Sequence, residues 1–389
     1  MLYTVNRSSA DVLARLASQS RVSSLRLCFS SGWHEKGDRQ KGRFEQHWGR
    51  VESWRDAILQ GPHLHVGNPF YQWPNVTMAS NRDSARVDLE ALAPEALPIT
   101  SYKPAGTRAT YDAAYGIWNG FPVRDHYRVA WRCMAANGGE RTLIPAWLPP
   151  GVAHVDGVFS AGGLDDIHDL VLLSAVASSL LADFQIRAAP KNHIRGAQVE
   201  RLAFVSRDHP LSPQLILRIL RLNCLTDAYA DLWRQCWDSV FLDDEWLLGK
   251  AYPEAPSLGD VGSEWTPEVP LRRDVDRRNA LVEIDALVAV MLGVSADELA
   301  TIYRTQFAVL YGYDQDTYIF DANGRIVPNS VLTTWRKKGD ALTEEERTAT
   351  HPGSGIAYTY ELPFAPRDRE ADYQVAISNL GAGGVAALS

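Results

Sequence analysis

Cysteine is scarce: Cys28, Cys133, Cys224 and Cys236 are the only four in 389 residues, and no two form a Cys-x-x-Cys pair. So thin a supply argues against a disulfide framework and points to free thiols in a reducing compartment. Long apolar runs are missing too. The longest, 170–182, is interrupted by Ser174, Ser178 and Ser179 and is too short to span a bilayer. The first ten residues are polar, without the apolar stretch of a secretion signal. The expectation is a soluble cytoplasmic chain that makes no membrane contact. No internal repeat of solenoid length is present. Positive charge is in deficit, with a formal net charge of -8. That excludes coating nucleic acid by bulk charge and leaves room for a local basic face.

Catalytic signatures are lacking as well. His34 and His47 have no second pair of soft ligands at metal-site spacing. Asp314, Asp316 and Asp321 lack the spacing and the late bidentate glutamate of a calcium loop. No serine or cysteine stands in a nucleophile-elbow or Cys–His context for His154 or His168. No Gly-x-Gly loop suited to S-adenosylmethionine precedes Asn68-Pro69-Phe70-Tyr71. That motif matches the Asn-Pro-Pro-aromatic loop of adenine amino-methyltransferases only in part, because the second proline is absent and no buried apolar strand leads into it. It reads as a structural turn. No catalytic and no metal-binding residue is therefore assigned.

What is present is the composition of a folded globular protein, 46% apolar with twelve tryptophans, long enough for two or three domains. The chain is organised around 127–204. Tyr127 to Met134 alternates aromatic or apolar with basic residues, as a half-buried strand does. Thr142 to Leu148 is a short apolar strand closed by Pro149-Pro150-Gly151. Asp169 to Phe184 is long and apolar enough for a buried helix, and a basic, polar loop follows it.

These segments resemble a known family. Tyr127-Arg128-Val129-Ala130-Trp131-Arg132, Glu140-Arg141-Thr142-Leu143-Ile144-Pro145-Ala146 and Pro149-Pro150-Gly151 with His154 are similar to the target-recognition region of large adenine-specific DNA methyltransferases. These are the type IIG restriction–modification enzymes and their relatives in the BREX and DISARM phage-defence systems. Leu59-Gln60-Gly61-Pro62-His63, Asn68-Pro69-Phe70-Tyr71 and the stretch from Asp276 to Ala289 extend the resemblance over about 59–321. It implies an α/β fold, with a mixed-sheet target-recognition domain followed by a helical C-terminal region. It implies double-stranded DNA and a methyltransferase catalytic domain or subunit as partners. S-adenosylmethionine would be the cofactor of that companion domain, with none in this chain. A structural or assembly subunit that docks a protein partner is the alternative.

Along the chain, 1–60 is expected as an N-terminal segment, with a helix over 9–17 and a strand over 22–29. The target-recognition domain occupies 61–206. A helical region over 207–310 follows, with a proline-rich linker near 251–270, and then a hairpin and flexible tail over 311–389. Leu215, Ile219, Leu222, Leu225, Tyr229, Leu232 and Trp233 recur at helical spacing. Asp274 to Leu292 reads as an amphipathic helix stopped by Gly293. Ser295-Ala296-Asp297-Glu298 is a capping box that opens another helix. This pair has the outline of a helix-turn-helix, but acids at the start of the second helix favour core packing over groove entry. Asn323-Gly324 marks a hairpin turn.

The candidate DNA-binding residues are Lys103, Arg108, Arg128, Arg132, Arg141, Arg187, Lys191, Asn192, His193, Arg195 and Arg201. For Arg128, Arg132 and Arg141 two readings stand side by side. They either tie the sheet together by cation–π contacts or line a phosphate groove. Lys191, Asn192, His193 and Arg195 include both residue types that DNA reading needs: cations for phosphate or guanine, and an amide for adenine.

Overall fold

A four-stranded antiparallel sheet stands at the centre of the computed structural model, which describes residues 6–75, 83–136, 138–164 and 166–386. Its strands are Cys28–Ser30 (β1), Arg128–Arg132 (β2), Pro145–Leu148 (β3) and Val158–Gly162 (β4), in the order β1-β4-β2-β3. Register is set by Trp131 opposite Phe159 on one side and Pro145 on the other. Both strands expected before the Pro-Pro-Gly turn are present, the second shortened to Pro145–Leu148. However, β2 is buried along almost its whole length. Its alternation separates two packed faces, because Val129 and Trp131 join the main core while Ala130 joins a smaller cluster with Leu59 and Leu148.

Five two-stranded sheets surround this one among the described residues. One pair is parallel, with Ala153 beside Ile58 and His154 beside Leu59, and the rest are antiparallel. The chain is thus mixed α/β, with helices the larger share.

The apolar stretch after the sheet forms two helices, Ile167–Ser178 (α1) and Leu180–Ala188 (α2), where one was expected. They bend by 68° at Ser179. Ser179 is extended there, and its side chain accepts from Ala182 N. Asp285 Oδ1 accepts from Leu180 N at 2.7 Å. A hydroxyl and a carboxylate at a new helix N-terminus satisfy donors that a straight helix would have used internally. Both helices are packed inside the protein, and no single helix among the described residues is long and apolar enough to cross a membrane.

Helix Ser212–Asn223 (α3) packs on α1, and the helical spacing read from Leu215 to Trp233 is broken after Asn223, resuming as a short helix at Ala230–Cys236. Asp274–Met291 (α4) is buried on nearly every side rather than on one stripe. It lies between α3, α1 and the last helix, Arg369–Ala386 (α6). Two of its buried carboxylates are matched: Glu283 accepts from Arg218 at 2.7 Å, and Asp285 from the Tyr373 hydroxyl at 2.8 Å. Between them, Ala296–Gln306 (α5) opens on the expected capping box, with Ser295 N donating to Glu298 at 2.9 Å. Leu299, Ile302 and Tyr303 are buried, and Glu298 pairs with Arg15 at 2.8 Å. This helix packs; it does not present a reading face.

One core cluster runs from Val12 to Leu380 and crosses all four expected segments, so those boundaries do not separate independent cores. The proline-rich stretch is not a free linker. The carbonyls of Ser257, Leu258 and Val269 accept from buried Arg221 at 2.6, 2.7 and 2.7 Å. The expected flexible tail contains α6, which docks on α4, and is helical as far as Ala386. The turn at Asn323-Gly324 forms as expected, with Gly324 at φ +83° and Gly324 N donating to Asp321 O at 3.0 Å. Residues expected as a strand over 22–29 begin instead with a 3-10 turn, Val22–Leu25, before β1.

Candidate nucleic-acid interface

The eleven candidate residues divide into three groups by where their charges go. Arg128 is fully buried in β2, where it donates to Val152 O and, at 3.5 Å, to the Tyr115 hydroxyl. Burial pulls its guanidinium below the usual arginine range. Arg132, partly buried, donates to Leu64 O at 3.0 and 2.6 Å and lies over the Tyr71 ring. Arg141 Nε pairs with Asp183 at 2.8 Å, and its Nη2 serves the carbonyls of Ser178 and Ser179 at the α1–α2 bend. Arg187 shares Asp183 at 3.4 Å, caps Gln306 O at 2.8 Å and lies 4.2 Å over Phe307. These four arginines are structural. The sequence left two readings open for the first three, and the structure ties all four to internal partners.

Lys103 and Arg108 are at the surface but each has its own acid. Lys103 faces Glu45 at 3.1 Å across a strand pair, and Arg108 holds Asp56 at 2.9 Å. They are not drawn into one site with the others.

The remaining five are all exposed and lie within one short stretch of chain. Lys191, Asn192, His193 and Arg195 point outward from the loop after α2, and Arg201 is exposed just beyond it. The loop backbone is pinned to the strand that continues β2. Ile194 N donates to Cys133 O at 2.7 Å, Ala135 N to Asn192 O at 3.2 Å, and Trp131 Nε1 to Ile194 O at 2.9 Å. Ile194 is wholly buried, and the Phe29 ring lies tight against Gly196. Alternate residues therefore anchor the loop and face solvent. No ion pair engages Lys191, Arg195 or Arg201 among the described residues. An exposed loop of cations and amides on a fixed backbone can contact phosphates and base edges without first having to be ordered.

Residues missed by sequence reasoning lie beside these segments. Met134 forms a bridge with His193 and is 66% exposed. The segment containing Arg21 and Arg26 is hydrogen-bonded onto 200–203, with Val22 N to Leu202 O at 3.1 Å and Ser23 N to Glu200 O at 3.0 Å. Both arginines are exposed. Nothing local signals that an N-terminal segment lies beside Arg201. Met134 carried a weak signal, as a large apolar residue at the end of a strand.

Asn68 makes the turn expected of it: its Oδ1 accepts from Phe70 N at 2.8 Å, and His65 and Asn68 exchange backbone hydrogen bonds at 2.8 and 2.9 Å. His34 caps a short helix through Gly37 N at 2.9 Å. Among the described residues no group of three or more His, Cys, Asp or Glu is arranged to hold a metal ion. No protein-family model matches this chain, and no curated protein matches it.

Proposed function

We propose that this chain is the DNA sequence-recognition portion of an adenine-specific DNA methyltransferase acting in restriction–modification or phage defence. In this reading a companion catalytic domain binds S-adenosylmethionine and modifies the base, and this chain holds and reads the duplex. The observation that carries the reading is the pinned loop with Lys191, Asn192, His193 and Arg195 exposed and in no ion pair among the described residues. Arg128, Arg132, Arg141 and Arg187 are bound internally, whereas this loop keeps its cations at the surface. Arg201, Arg21 and Arg26 are exposed on the adjoining segments, and exposed Met134 offers an apolar contact beside the loop.

Duplex binding by the isolated chain over a salt series tests this. Affinity should fall steeply as salt rises, because each neutralised phosphate releases counterions. A folded chain that binds no duplex at low salt would defeat the reading.

One feature favours the assembly-subunit alternative. The hairpin Ile117–Trp118 and Phe121–Pro122 exposes Ile117 by 62% and Phe121 by 64%. Apolar side chains on a protruding turn suit a protein contact, including one with the catalytic domain. Alanine at both positions, assayed by co-purification with that domain, separates docking from DNA contact.

A further inference from the structure

A cavity of about 390 Å³ lies where the recognition region, the start of α4 and the C-terminal hairpin meet. Its lining includes Asn68, Tyr71, Arg86, Glu140, Arg278 and Tyr318. Neither the turn at Asn68 nor the basic loop explains it. Its volume falls within the range of small-molecule sites.

The hydrogen-bonding capacity of this lining is uneven. The acids are occupied. Glu140 accepts from His65 at 3.1 Å and from the Tyr318 hydroxyl at 2.5 Å. Asp88 accepts from Ser354 and Tyr358 at 2.6 and 2.9 Å. Glu90 is held at both oxygens by Arg325, and Asp274 accepts from Ile326 N at 2.9 Å. The cations are less fully occupied. Arg86 lies 5.1 Å over the Tyr71 ring and has neither a hydrogen-bond acceptor nor an ion pair among the described residues. Arg278 is 8% exposed and reaches Asn279 and Asp372 with Nη1 alone. Its Nε and Nη2 are buried without a partner. Buried polar groups without a partner are uncommon in folded proteins and call for an explanation. With the acids satisfied, the spare donor capacity of Arg86 and Arg278 favours a ligand rich in acceptor oxygens.

We propose that the cavity binds a phosphorylated small ligand of about mononucleotide size, with Arg86 and Arg278 supplying its cationic contacts. Guanidinium groups match phosphate oxygens in pairs. A phosphate monoester brings nearly two charges and three acceptor oxygens, where a carboxylate brings one charge and two. Apolar and aromatic wall, including Leu281, Leu310 and Phe320, remains for the organic body. The site stands apart from the DNA-reading loop and does not depend on that reading. The same chemistry has two sources: a free nucleotide, or the phosphorylated end of a nucleic-acid strand.

Calorimetric titration of the full chain with adenosine monophosphate and with inorganic phosphate tests the site. Saturable binding of the nucleotide is expected, weakened at least tenfold in Arg86→Gln and in Arg278→Lys. Arg86 makes no hydrogen bond or ion pair among the described residues, so its variant should keep the fold; circular dichroism checks both variants. A 5′-phosphorylated trinucleotide that displaces the nucleotide assigns the site to a strand end, and failure to displace it assigns the site to a free nucleotide. No saturation by either probe at millimolar concentration, or unchanged affinity in both folded variants, overturns the proposal. Lys191→Ala/Arg195→Ala leaves the cavity intact, so loss of duplex binding in that variant is read independently.

Discussion

Arg277 Nη2 donates to the carbonyl of Gly67 at 2.8 Å, across 210 positions of chain. The same guanidinium serves Leu222 O at 3.0 Å and Leu271 O at 2.8 Å. One side chain of α4 thus joins the turn before Asn68, the end of α3 and the stretch leading into α4 itself. Burial, only partly offset by Asp274, lowers its pKa to about 10, which leaves it charged at neutral pH. Arg277→Met strands three buried carbonyls and should cost roughly 3 kcal/mol or more. Urea denaturation reads this as a lower midpoint; an unchanged midpoint would show that the three contacts add nothing net.

Asp183 makes a second such junction, fully buried between Arg141 at 2.8 Å, Arg187 at 3.4 Å and Thr142 N at 2.9 Å. Asp183→Ala leaves two arginines without their shared carboxylate. Breaking a buried pair from one side costs about 3–5 kcal/mol. Thermal denaturation should show a large drop. Arg141→Ala should likewise lose stability, while its salt dependence of DNA binding stays that of the wild type. A flatter salt slope in a folded Arg141→Ala would return Arg141 to the phosphate contacts.

The loop behaves in the opposite way. Lys191 and Arg195 are exposed and make no ion pair among the described residues, so Lys191→Ala/Arg195→Ala should leave the unfolding free energy within about 1 kcal/mol of wild type. Duplex affinity should fall at least a few fold, and the salt slope should shrink by about 2 if each cation meets a phosphate. Fluorescence anisotropy across salt measures both quantities, and unchanged affinity removes these residues from the interface.

Stability should also depend on pH through His154. It is fully buried, with Nε2 against Ser160 Oγ at 2.8 Å and Nδ1 against Val155 O at 3.1 Å. Burial, then the neighbouring Arg128 charge, push its pKa down from 6.5 to about 3. The folded chain keeps this imidazole neutral while the unfolded chain takes up a proton. Its contribution is therefore complete above the unfolded value and is lost as pH falls from 6.5 towards 3. Between pH 7 and pH 5 this one group should remove about 2 kcal/mol. Burial shifts His63 and His65 in the same direction. His154→Gln, which cannot titrate, should lose less stability over that interval, and an identical loss would rule His154 out as a source.

Local sequence determined much of the secondary structure. The strand at 128–132, the Pro-Pro-Gly stop, the Ser295–Glu298 box and the Asn323-Gly324 turn all act over a few residues and formed where they were read, although the strand is buried on both faces and not on one. The exposed loop was legible for a similar reason: a run containing Lys191, Asn192, His193 and Arg195 has no apolar side to bury except through Ile194. Only tertiary structure decided which arginines stay free. Arg128, Arg141 and Arg187 look as available in the sequence as Arg195. Their fates rest on Val152 O, Asp183 and Gln306 O, which the fold brings in from elsewhere in the chain. It also decided that α4 is buried on all sides, because α6 returns from far along the chain to cover the face that periodicity leaves to solvent. Hydrophobic period and capping are set by near neighbours. The partner of a charge is set by whichever segment folds against it, and no local pattern encodes that.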